Sequence, residues 1–97
     1  MSNMVFKFDP ENENIKKGIE YLQEILDVLP VCNRDEFFAT YKKARKEIAK
    51  ENEGISETMK GIEHVLKRLS YNSFYLIAWY VVSSFTEMLK KGECLHE

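Results

Sequence analysis

Residues 72–89, NSFYLIAWYVVSSFTEML, hold the one tryptophan, two of the five tyrosines and two of the six phenylalanines. Positions 74–82 within them form an unbroken apolar run. A segment without a polar face has to be enclosed by neighbours, because leaving it in water exposes a large apolar patch. Every other segment of the chain has one apolar side and one charged side, so this stretch is the post around which the rest packs. Its β-branched and aromatic content would suit a strand. Its length favours a helix, which the pattern predicts over residues 72–91. Lys90 and Lys91 suit the negative end of the helix dipole, and Gly92 stops it.

Three amphipathic segments precede it. Asp9-Pro10 reads as a helix start, since Asp accepts from free backbone N–H groups and Pro fits the first turn. Ile15, Ile19, Leu22, Ile25, Leu26 and Leu29 then make one apolar stripe, and Pro30 ends a helix over 10–29. Asn33 with Glu36 resembles a capping box. Phe37, Tyr41, Ala44 and Ile48 form the stripe of a second helix over 34–52, with Gly54 as its left-handed cap. Ile55, Met59, Ile62, Val65, Leu66 and Leu69 give a third over 55–69, capped by Ser56. Residues 4–8 alternate weakly; with no obvious partner strand, they are read as a short extended N-terminal arm lying on the bundle.

The expected fold is therefore all-α: an antiparallel four-helix bundle, because connectors of two to four residues join antiparallel neighbours. The 97 residues make one domain, with an arm over 1–9 and a short tail over 92–97. A chain of this size buries roughly 60–65% of its unfolded surface, enough for an independent core. The formal charge of −2 gives no global basic field. Residues 1–36 nevertheless carry eight acidic and four basic side chains, and residues 37–97 eight and ten. Cys32 and Cys94 are too few for a disulfide framework. No apolar run approaches the roughly 20 residues of a membrane span, and no secretory signal is visible. These features point to a cytoplasmic protein with reduced thiols.

Few residues suggest chemistry. Lys42, Lys46 and Lys50 form a column on the second helix, suited to phosphates or an acidic partner, though such runs are mostly solvated faces. Glu20, Glu24 and Asp27 cluster on the outer side of the first helix, where nothing would shift their pKa values for catalysis. Cys94-x-His96 offers two metal ligands where structural zinc wants four, and His64 and Cys32 do not complete the spacing. No phosphate loop or nucleophile elbow is present, so neither catalysis nor a cofactor is expected.

The final helix has more apolar surface than one bundle face requires. With Phe74, Ile77, Val81, Phe85 and Met88 assigned inward, Tyr75, Leu76, Trp79, Tyr80 and Val82 remain for another cover. Tyr and Trp favour interfaces, so the expected function is a protein-interaction module (adaptor, inhibitor or small subunit), homodimeric through this flank. A nucleic-acid-associated subunit using Lys42, Lys46 and Lys50 is the alternative. A small-ligand sensor with a pocket beside Trp79, drawing on Phe74, Tyr75, Tyr80 and Phe85, is a further one.

Overall fold

The computed structural model describes residues 4–29 and 33–96, with side chains over 8–29, 33–70 and 72–92. The chain forms α1 (Glu13–Val28), α2 (Arg34–Ala49), α3 (Glu53–Lys67) and α4 (Tyr71–Lys91). An all-α fold of four helices is thus what the hydrophobic periodicity produces. The expected stop at Pro30 and the side chains of Cys32, Cys94 and His96 lie outside the described residues.

Three boundaries shift, each for a reason visible in hydrogen bonding. Asn12, not Asp9, caps α1: its Oδ1 accepts from the N–H groups of Asn14 at 2.8 Å and Ile15 at 3.3 Å. Asp9 closes the preceding turn by accepting from the Glu11 N–H at 2.9 Å. Asn52 both ends the turn after α2, donating from its N–H to the Ile48 carbonyl at 2.8 Å, and caps α3 through the Ile55 N–H at 3.1 Å. Gly54 therefore lies inside α3 with ordinary helical backbone rather than in a left-handed cap, and Ser56 is buried rather than capping. The capping box holds, with Glu36 N–H to Asn33 at 2.8 Å and Asn33 N–H to Glu36 at 3.2 Å. Gly92 ends α4 at φ 81°, where a side chain would be strained.

The N-terminal arm has a partner after all. Residues 4–7 form β1 (Met4–Lys7), which pairs antiparallel with β2 (Glu93–His96), Met4 opposite His96 and Lys7 opposite Glu93. The partner comes from the far end of the chain, from residues expected to form a short tail.

Residue pairs across α1 and α2 run in opposite chain order. Asn12 Nδ2 donates to Glu51 at 3.0 Å near one end, and Ile25 shares a groove with Phe37 near the other. Between these points Gly18 is buried so closely against α2 that an added Cβ would stand 2.5 Å from Ile48 Cγ1. α1 packs on α2 and α4, α2 also packs on α3, and α3 scarcely meets α4. The result measures 34 × 32 × 18 Å, flatter than a square bundle. The core contains Ile15, Leu22 and Ile25 of α1, the full α2 stripe of Phe37, Tyr41, Ala44 and Ile48, and Ile55, Met59 and Leu66 of α3. Val65 does not join it; it is exposed. No helix among the described residues is long and apolar enough to cross a membrane.

Arg34 fastens three helices at one end. Its guanidinium donates to the carbonyls of Leu66, Lys67 and Leu69 at 3.1–3.2 Å, at the C-terminus of α3 where helical N–H donors run out; the Leu66 carbonyl also accepts from the Leu69 N–H at 3.2 Å. The same group lies 4.4 Å from the centroid of the Phe74 ring on α4. Phe74 in turn packs edge-on against Phe37 at 5.1 Å.

Two glycines should respond oppositely to the same change. Gly18→Ala forces a methyl into the buried Ile48 side chain and should destabilise by about 1–3 kcal/mol. Gly61→Ala meets nothing within 4 Å and removes a flexible residue from the middle of α3, so it should stabilise by about 0.5–1 kcal/mol. Urea unfolding followed by circular dichroism measures both.

Candidate functional site

The register of α4 decides which of its side chains can meet anything outside the fold. Phe74, Ala78, Val82, Phe85 and Leu89 point into the core. Thr86 joins them, its hydroxyl donating to the Val82 carbonyl at 2.8 Å and so entering the core satisfied. This differs from the expected inward face. Val82 is 1% exposed and belongs to the core, whereas Ile77 and Met88 lie at the surface. Small Ala78 takes an inner position, next to the Ile77 expected there.

The outer face keeps Leu76 at 75%, Tyr80 at 67%, Trp79 at 49% and Ile77 at 38% exposed. Of the seven exposed large hydrophobics among the described residues, five are on α4, so the apolar surface is concentrated and not scattered. Tyr75 is half-buried, its ring edge-on to Phe74 at 5.1 Å. Asn72 to Thr86 contains no charged side chain; the first is Glu87. The aromatic group of α4 is thereby divided. Phe74 and Phe85 are core, Tyr75 bridges, and Trp79 and Tyr80 face outward rather than lining one pocket.

A groove of 490 Å³ lies elsewhere, between α1 and α2, with Ile25, Val28, Phe37 and Ala39 as its apolar walls and Glu24 and Glu36 at its rim. Trp79 does not line it. Glu20, Glu24 and Asp27 are exposed on α1, as their solvated-face reading expects.

Lys42, Lys46 and Lys50 are all exposed on the side of α2 away from the core. Lys50 is 3.4 Å from Glu47, which partly neutralises the end of the column. The aromatic residues of α2 are turned the other way: Phe37 and Tyr41 are buried, and Phe38 packs on the core. The column therefore lacks the exposed rings on which bases stack.

One polar cluster was not apparent in the sequence because its members come from two helices. Tyr41 is buried and donates its hydroxyl to the Met59 carbonyl at 2.8 Å. Beside it, Arg45 Nε stands 3.7 Å from Glu63 Oε1, near enough for attraction and too long for a hydrogen bond; Lys67 holds the other Glu63 oxygen at 3.2 Å. Burial pushes the Tyr41 phenol well above its ordinary value, Glu63 adds to the rise and Arg45 partly offsets it. The cluster joins α2 to α3, and none of its members lines the groove between α1 and α2.

No family model, curated protein or solved structure matches the chain.

The Tyr41 shift has a consequence for stability at high pH. A phenol whose folded pKa is raised stabilises the fold fully below its unfolded value near 10, and the contribution is lost as pH climbs above that value. Stability should fall progressively above about pH 10. Tyr41→Phe should lower stability at neutral pH by about 1 kcal/mol through loss of the hydroxyl's bond to Met59 and flatten the alkaline slope. Urea midpoints at several pH values compare the two proteins.

Proposed function

We propose that this chain is a small cytoplasmic protein-interaction module without catalytic activity, serving as an adaptor, an inhibitor or a small subunit of an assembly. Its contact surface is the outer face of α4, formed by Leu76, Ile77, Trp79 and Tyr80, and its first partner is a second copy of itself. The observation that carries this reading is the concentration of exposed apolar side chains on one uncharged helix face.

Magnitudes support it. At about 150–250 Å² for a large side chain, the exposed fractions of these four residues amount to on the order of 450 Å². A standard interface takes about 800 Å² from each partner, a little over half of it non-polar. The face thus offers roughly the apolar area that one partner contributes. Self-association also suits a face without charge, since no ionic group is left buried when two copies meet.

Sedimentation of the wild-type chain should show dimer at tens of micromolar. The emission of Trp79, the only tryptophan, should shift to the blue as concentration rises through the transition. Leu76→Asp and Tyr80→Asp, both at exposed positions, should keep the helical circular dichroism and weaken association at least tenfold, the scale of losing about 1.4 kcal/mol at an interface. A wild-type chain that stays monomeric at high micromolar concentration overturns the proposal.

A further inference from the structure

Resting on the reading that α4 is a self-association surface, we infer that two copies pair their α4 helices antiparallel, across a two-fold axis at the level of Ala78. The outer face has a seam with the spacing of a coiled coil. Ser73, Leu76, Tyr80, Ser83 and Glu87 fall at i, i+3, i+7, i+10 and i+14, with Trp79 on one flank and Ile77 on the other. Ala78 itself is buried and marks only the height of the axis. Four of the five exposed apolar residues of α4 are symmetric about it, Leu76 and Ile77 on one side, Trp79 and Tyr80 on the other, with Met88 farther along the helix.

An antiparallel pair with its axis there opposes residues whose numbers are equally far above and below 78. Leu76 of each copy then meets Tyr80 of the other, so the apolar layers occur twice and lie next to the axis. Ser73 meets Ser83, polar against polar, and the Ser83 hydroxyl already donates to the Tyr80 carbonyl at 3.1 Å, which limits what it loses on leaving water. Trp79 and Ile77, each one residue from the axis level, meet their own copies on the two flanks.

Glu87 decides between this and the parallel arrangement. In a parallel in-register pair, Glu87 sits in the seam directly opposite Glu87 of the second copy, a like-charge contact, and Lys90 and Lys91 of both copies gather at one end. In the antiparallel pair Glu87 passes beyond the first turn of the other α4. There it lies beside the positive end of that helix, where a carboxylate is favoured.

The test uses the full chain with Cys32→Ser and Cys94→Ser, checked by sedimentation to remain dimeric, and one further cysteine substitution at a time under mild oxidation. Ile77→Cys should form a disulfide-linked dimer, because its two copies lie only about 3 Å apart along the helix direction. Glu87→Cys should not, because its copies are about 27 Å apart along the same direction. Both positions are at the surface, and circular dichroism verifies the fold of each variant. A dimer that links through Glu87→Cys and not through Ile77→Cys overturns the antiparallel orientation while leaving the self-association surface standing. A dimer that links through neither overturns this register. A monomer in sedimentation overturns the underlying reading of α4.

Discussion

Arg34 carries a task that no helix pair performs alone. α3 and α4 follow each other in the chain yet scarcely touch, so the last carbonyls of α3 would face solvent beside the aromatic start of α4. The guanidinium supplies donors to three of those carbonyls and lays its flat face 4.4 Å from Phe74. Hydrogen bonds from a charged donor are worth about 1.5–3 kcal/mol, more than neutral ones, and the ring contact adds about 0.5–2 kcal/mol. Lysine could not replace it, since a single ammonium cannot span the three acceptors and stack as well. The position of α4, and therefore what its outer face can meet, follows from where this residue holds its first turn.

Behind that latch stands an aromatic cluster that gives α4 its rotation. Phe37 touches Phe38, Tyr41 and Phe74 at centroid distances of 5.0–5.7 Å, and Phe74 also touches Phe38 and Tyr75. Once Phe74 is seated, the inner face of α4 runs through Ala78, Val82, Phe85 and Leu89 at helical spacing. Trp79 and Tyr80 are thereby carried outward. Core and candidate contact surface are two consequences of one anchored ring.

The parts of this architecture legible in the sequence are those where a polar face fixes the phase of a helix. The α2 stripe is buried residue for residue as its spacing predicts, because lysines and glutamates leave only one side for the core. In α4 no such contrast exists over residues 74–82, and spacing alone puts Ile77 and Met88 inward and Val82 outward, the reverse of their burial. A small residue such as Ala78 is a better guide to close packing than a large one, but periodicity does not weigh it so. The Arg34 contacts and the Tyr41–Glu63 cluster join side chains from separate helices, which spacing within one segment cannot show. Asp9-Pro10 predicts the start of α1 there, whereas Asp9 closes a turn and Asn12 makes the cap.

The pairing of β1 with β2 makes a ring of the described chain. Met4 and His96 stand opposite each other, so a polypeptide continued from either end would leave from the same place. Such a domain can be hung on, or set within, a longer chain like a bead on a single stalk. The same closure is the contact of greatest sequence separation in the fold. Its loop-closure entropy is repaid only after the helices have assembled and brought the two ends together.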